Sequence, residues 1–397
     1  MKILFVSAMM PYPLYSGGQV RVYNLLSRLG KSHEITLVTF LRNLSEKRYE
    51  KELSFCKKII TGYRGTAWQP GYILRSLAGT NPLLLASYDH AQLRQEIAKE
   101  LSTGSYDLVH IEPWYVWLSL PTVTIPTVVA THNIEYEVYQ EYVRRFWFVP
   151  LRPGYYWDVL KLAFWEKHVW KRASRVIAVS KDDASVIRKS VGPDVPVSVV
   201  SNGVDVSSFR FEMKKSGGAP VFLFVGSFTW MQNRDAAQWL VKSIWPMLEK
   251  QFPGAVLRIV GRSMPTKLRK LVVNTRVTLL EHVENIEDEF HNAHVLIAPI
   301  RIGGGTSFKI LEAMASGLPV VTTTLGAAGL NVTHGKELLI ANTDDELVEA
   351  VSLFTRFPKK RIEIAQNARK TIERDYAWDN IAKALDHVWY ETTKKGA

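Results

Sequence analysis

Lys309 and Glu312 are the two charged residues of this chain best placed to do chemistry, because of what surrounds them. They lie in the stretch Arg301 to Val321, directly after Gly303, Gly304, Gly305, Thr306 and Ser307. Glycines let a backbone approach a ligand closely and take conformations that side chains forbid. Thr306 or Ser307 supplies an oxygen to cap a following helix. The N–H groups and dipole at such a helix start favour an anion, above all a phosphate. Lys309 adds a full positive charge in the first turn. Glu312 falls on the same face, about 4.5 Å further along the axis at roughly 1.5 Å per residue. A cation at the helix start with a carboxylate one step deeper suits a nucleoside diphosphate whose ribose hydroxyls meet the acid. The plain alternative is a glycine-rich turn with a solvated Lys–Glu pair.

A second set gathers at other strand ends. His132, Asn133 and Glu135 follow the apolar run 127–131, and ligands in parallel sheets collect at the carboxyl ends of strands. His110 and Glu112 close another such run and rank below His132. Gly17 and Gly18 precede a helix with Arg21 in its first turn, which repeats the anion-site logic; an ordinary strand–helix turn is the alternative. Arg262 follows the run 256–260 and Gly261. Its guanidinium fork binds oxyanions in bidentate fashion, so it is a candidate diphosphate clamp. No Asp-x-Asp metal site is evident, and Asp182-Asp183 reads as the acidic start of a helix.

The elements that must hold these residues alternate between strand and helix patterns along the whole chain, which predicts parallel sheets with crossover helices. Strands are expected at 3–7, 35–38, 107–111, 127–131, 175–180, 197–200, 221–225, 256–260, 277–280 and 295–299. Val22, Leu25, Leu26 and Leu29 mark the buried face of the first helix. Ala236, Leu240, Ile244 and Leu248 do the same for a helix over 235–251. Residues 62–90 read as loop, with Arg64, Trp68, Tyr72 and Arg75 as acceptor contacts or plain surface. With 397 residues and 47% hydrophobic content, the chain has room for two domains.

The net charge of +12 and pI near 9.5 favour anionic partners. The single cysteine, Cys56, excludes an internal disulfide and a multi-cysteine metal site, and suits a reducing cytoplasm. No run approaches the ~18 apolar residues of a spanning helix. Residues 136–172 are dense in aromatics and bases. That segment is read first as an interfacial surface for anionic lipid or a lipid-linked acceptor, then as core packing. Nucleic acid is not expected, since no recognised module for it is present.

The Gly-Gly-Gly-Thr-x-x-Lys-x-x-Glu arrangement at 303–312, the His132-Asn133 strand end and the run Ser201-Asn202-Gly203-Val204-Asp205 together resemble the GT-B glycosyltransferases, family 4 in particular. The resemblance covers nearly the whole chain. It implies an α/β fold of two Rossmann-like domains whose parallel sheets face each other across a cleft. Residues 1–205 would form the acceptor-side domain and 206–375 the nucleotide-sugar domain, with a terminal helix at 376–397 returning to the first. It implies donor contacts from Gly226, Ser227, Val283, Gly303, Gly304, Gly305, Thr306, Ser307 and Glu312, with Glu312 on the ribose. His132, Lys309 and Arg262 would be catalytic, and Gly17, Gly18, Arg21, Asn133 and Glu135 would line the acceptor side.

Two departures stand out. The family's Glu-x7-Glu pattern has Gly304 at its first acid, so backbone N–H groups would replace that contact. The family's basic pair after Gly226 is not evident, and Asn233 and Arg234 stand in its place. The implied activity is retaining, metal-independent transfer from a UDP- or GDP-sugar to a glycan or lipid-linked acceptor in envelope polysaccharide synthesis. It requires no resident cofactor, and its place is the cytoplasm or the inner face of the membrane. A GT-B nucleotide-sugar 2-epimerase and a non-catalytic sugar-binding protein are the alternatives.

Overall fold

The computed structural model describes all residues except 67, 214–216, 274, 282, 304 and 395–397. The stretch 214–220, whose Gly217-Gly218 pair reads from the sequence as a linker, falls in part on those residues. The chain forms two compact units. One comprises Met1–Ser201 with the residues from Ile381 on, the other Asn202–Asn380.

Among the described residues, the first unit holds a seven-stranded sheet of β1 (Lys2–Ser7), β2 (Glu34–Leu41), β3 (Lys58–Tyr63), β4 (Leu108–Glu112), β5 (Thr127–Thr131), β6 (Arg175–Ala178) and β7 (Val197–Val199). All pairs are parallel, in the order β3-β2-β1-β4-β5-β6-β7. The central strands are apolar on both faces because helices cover both, as parallel sheets require. Phe5, Val6, Val109 and Ile111 are fully buried. The strand order reverses between β1 and β4, and the register sets Ser7 beside Glu112 at that point. The helix Trp378–Lys394 brings Trp389, fully buried, into this unit.

The second unit repeats the plan with β8 (Val221–Val225), β9 (Val256–Val260), β10 (Val277–Leu280), β11 (Val295–Ala298), β12 (Val320–Thr322) and β13 (Leu339–Ile340). Its order is β10-β9-β8-β11-β12-β13, again parallel. Here the reversal lies between β8 and β11. A ligand crevice forms at such a reversal in doubly wound sheets.

Three expectations need correction. Residues 62–90 are not a long loop: helices Pro70–Ala78 and Leu83–Ala86 occupy much of it. Arg64 is buried there, donating to the Ser87 carbonyl, the Ser87 hydroxyl and the Tyr88 hydroxyl, so its role is packing. The helix read over 235–251 begins at Met231 and passes through a π turn at Leu240–Ile244 before Trp245–Gln251. Pro246 has no N–H to give to the ladder, and the wider turn accommodates that loss. Its buried face is the expected one, with Ala236, Leu240, Ile244 and Leu248 all fully buried.

Candidate functional site

In the first unit, the side chains that matter converge on Glu112, the last residue of β4 and fully buried. Its Oε1 accepts from Arg21 Nε at 2.5 Å and from His132 Nε2 at 2.8 Å. Its Oε2 accepts from His110 Nε2 at 2.7 Å. Trp389 Nε1 donates to His110 Nδ1 at 3.0 Å. An indole N–H is a donor only, so His110 Nδ1 is an acceptor and the proton sits on Nε2, aimed at Glu112. Burial keeps His110 neutral by lowering its pKa, against the pull of Glu112. Burial alone would raise the Glu112 pKa. The Arg21 charge and the bonds from His110 and His132 outweigh it and hold the carboxyl well below the usual range.

Arg21 is therefore not open to a ligand. It is fully buried, and its Nη1 donates to the Ser201 carbonyl at 2.7 Å. The acceptor-side role read for it gives way to a structural one, because a guanidinium this deep needs the carboxylate beside it. Gly17 starts the helix Gly17–Leu29. Gly18 lies over His132, where an added Cβ would come within 3.8 Å of the ring Cε1. Asn133 Nδ2 donates to Glu135 Oε1 at 3.4 Å. Burial pushes the Glu135 carboxyl up to about 7, against that hydrogen bond. Buried Glu166, from a different helix, accepts the N–H groups of Glu135 and Tyr136 at 3.1 Å each and so caps the helix Glu135–Arg145.

In the second unit, β8 runs into Gly226-Ser227 and β11 into the glycine loop. Asn233 links the two. Its Nδ2 donates to the Ser227 carbonyl at 2.8 Å, and its Oδ1 accepts from Lys309 Nζ at 2.9 Å. A Cβ on Gly226 would sit 2.7 Å from Asn233, so the approach needs glycine. The Lys309 ammonium also lies 5.6 Å from the Phe224 ring centroid. Burial pushes Lys309 down to about 8, against the attraction of Glu312. Burial pushes Glu312 up to about 7, against Lys309. Both residues are half-buried.

The helix Phe308–Ser316 starts as the sequence suggests, but neither candidate caps it. Ser307 holds the N-cap position without a side-chain bond. Thr306 Oγ1 is taken by Asn202 Nδ2 at 2.7 Å. A helix start with no side-chain cap keeps its N–H groups for an anion. Gly303 and Gly305, at φ 132° and 69°, take backbone conformations that only glycine holds without strain. Gly304 lies outside the described residues. Arg262 is exposed at the end of β9, and its carbonyl accepts from Phe228 N at 2.9 Å, which ties the β8 and β9 ends together. Between them, Gly261 passes so close that a Cβ would fall 1.8 Å from the Gly226 carbonyl oxygen. Arg234 is turned onto the Thr229 carbonyl, and Val283 packs on the core. Among the described residues no group of three or more His, Cys, Asp or Glu is placed to hold a metal ion.

Sequence comparison places known proteins beside this chain. Residues 15–208 match the sequence model described as Glycosyltransferase Family 4, and residues 219–355 match Glycosyl transferases group 1. An uncharacterised 44.6 kDa protein in the cps region of Klebsiella pneumoniae is 23% identical over 94% of this chain and 96% of its own length. The lipopolysaccharide core biosynthesis mannosyltransferase LpsB of Rhizobium meliloti is 28% identical, covering 57% of this chain and 68% of that one. Among solved structures, sucrose-phosphate synthase from Thermosynechococcus elongatus superposes with a TM-score of 0.75 at 17% identity, covering 98% of each chain. HepE of Anabaena, in complex with UDP and glucose, gives 0.67 at 16% identity, covering 98% of this chain and 100% of that one. These two show the fold.

Proposed function

This chain belongs to the family 4 glycosyltransferases of GT-B fold, and on that premise we propose that it is a retaining, metal-independent enzyme. Its donor is a UDP- or GDP-sugar, and its acceptor a glycan or lipid-linked glycan of the cell envelope. On the same reading it works at the inner face of a membrane, held there peripherally. The observation that carries the donor half is the Lys309–Asn233–Ser227 chain at an uncapped helix start, with Glu312 one step deeper. The lipopolysaccharide and cps-region relatives support the envelope setting.

The chemistry follows from where charge develops. As the sugar–phosphate bond breaks, negative charge grows on the leaving diphosphate. Lys309, the helix N–H groups and Arg262 stabilise that charge without reorganising. Glu312 accepts from the ribose hydroxyls. His132, its ring fixed by Glu112, positions the donor sugar and supports the oxocarbenium-like state; it is not a lone base.

The test is a thermal-shift screen over UDP-, GDP-, ADP- and TDP-sugars, followed by an NMR time course with the donor it selects. Retention of the anomeric configuration and turnover unaffected by chelator are expected. Inversion would remove the stereochemical reading. Loss of turnover with chelator, restored by magnesium or manganese, would remove the metal-independent one. Conversion of the nucleotide-sugar into an epimer without acceptor would replace the transferase reading altogether.

A further inference from the structure

We propose that the first unit docks on an anionic phospholipid surface through an apolar ledge built by two helices, Pro70–Ala78 and Arg152–Arg172. This rests on the peripheral-membrane reading above and gives it named anchors and a lipid charge.

The two helices are stitched together along one line. Asp158 accepts from the Ser76 hydroxyl at 3.0 Å, Lys161 Nζ donates to the Ser76 and Asn81 carbonyls at 2.7 and 3.2 Å, and Trp165 Nε1 donates to the Thr80 carbonyl at 3.3 Å. One residue before each of these three lies Trp157, Leu160 and Phe164. A one-residue step turns a side chain by about 100° at 3.6 residues per turn, so these three run beside the seam and point away from it. They are 63%, 62% and 65% exposed. On the shorter helix, Leu74 and Leu77, three residues apart and so on one face, are 65% and 77% exposed. Trp147, 82% exposed, stands on the turn leading into the long helix. That turn is set against the helix by the Phe146 and Tyr155 rings, whose centroids are 5.0 Å apart.

The opposite face of the long helix is already served. Leu162, Val169 and Trp170 are buried in the core of the first unit. Arg152–Arg172 is thus apolar on two faces, and the protein covers only one. No helix of the described residues is long and apolar enough to cross a membrane, so this face suits the surface of a bilayer.

Charge decides what covers it. Between residues 142 and 172 every exposed charged side chain is positive: Arg144, Arg145, Lys167, Lys171 and Arg172. Arg75 adds one on the shorter helix. The acids turn inward, Asp158 into the seam and Glu166 into the core, while Glu141 is held by Arg144 and Arg145. Two copies meeting through this face would bring like charges together. A bilayer rich in acidic headgroups takes both the rings and the bases.

The experiment is co-flotation of the full chain with vesicles of phosphatidylcholine alone and of phosphatidylcholine mixed with phosphatidylglycerol. The wild type is expected to bind the mixed vesicles and to bind neutral ones at least about tenfold more weakly. The triple variant Trp157→Ser/Leu160→Ser/Phe164→Ser should lose about tenfold or more on mixed vesicles with an unchanged melting temperature. Lys167→Glu/Lys171→Glu should remove the preference for the acidic lipid. Equal binding to both vesicles, no binding to either, or a wild-type dimer that the triple variant dissolves in lipid-free solution would each overturn the proposal. UDP and GDP titrations of the wild type and of the triple variant separate this from the donor reading. Vesicle binding by a wild type that binds neither nucleotide would sink the donor reading and leave the ledge standing.

Discussion

Glu112→Gln probes the buried hub of the first unit with almost no change in shape. In the wild type, two carboxylate oxygens serve three donors, from Arg21, His110 and His132. Glutamine keeps one acceptor oxygen and turns the other position into a donor. Whichever way the amide is placed, an N–H then faces an N–H. His110 cannot escape by moving its proton to Nδ1, because Trp389 donates there. The larger cost is charge: Arg21, fully buried, loses its counter-ion. Removing one partner of a buried pair costs roughly 3–5 kcal/mol. For a unit of this size that lowers the melting temperature by about 6–20 °C.

His132 loses its anionic anchor, so kcat should fall by about a hundredfold or more with little change in donor KM. Calorimetry and steady-state assays with the donor found by the screen read the two effects. Arg21→Met added to Glu112→Gln removes the stranded charge, so the melting temperature should recover while turnover does not. The wild-type contribution has a sign as well. A carboxyl held well below its ordinary pKa stabilises the fold above about pH 4 and loses that contribution as pH falls through its depressed value. A Glu112→Gln protein with wild-type melting temperature and wild-type kcat would refute the argument.

Proton linkage tests the second unit. Lys309 at about 8 and Glu312 at about 7 are each partly in the wrong protonation state near neutrality. A diphosphate on Lys309 favours its charged form, which takes up a proton; ribose hydroxyls on Glu312 favour the carboxylate, which releases one. Binding should therefore release protons below about pH 7.5 and take them up above it. The dependence of calorimetric enthalpy on buffer ionisation should change sign across that pH, and a constant sign would contradict the assignment. Gly261→Ala should cost about 1–3 kcal/mol or more, since its Cβ would lie 1.8 Å from the Gly226 carbonyl oxygen; a wild-type melting temperature would show that the β8 and β9 ends are not held together as described.

What was legible in the sequence depended on how local it was. Gly303, Gly305, Lys309 and Glu312 lie within ten residues, so their spacing alone describes a helix start with a cation and an acid. The buried strands at 221–225, 256–260 and 277–280 were equally plain, as short apolar runs with turn residues at both ends. Glu112 ranks low on sequence alone because Arg21 and His132, which bond it, and Trp389, which bonds His110 beside it, come from far along the chain. Its one local signal was an acid closing the otherwise buried run 108–112. The edge strands are not legible for a different reason. β3 carries Lys58 and Gly62 and is half exposed, and β13 is two residues long, so neither shows an apolar run. The ring-rich segment 136–172 shows no simple periodicity because its long helix has one apolar face buried and another exposed. That Thr306 does not cap the helix depends on Asn202 taking its hydroxyl, a contact between residues 104 positions apart.

The most direct test is isothermal titration of UDP and of GDP into the wild type, Lys309→Ala and Glu312→Gln. One saturable site is expected in the wild type for at least one of the two nucleotides. That binding should be lost in Lys309→Ala, and in Glu312→Gln it should no longer distinguish the ribose from the deoxyribose form. Binding that neither substitution alters, or no binding of either nucleotide to a folded wild-type protein, would contradict the donor reading.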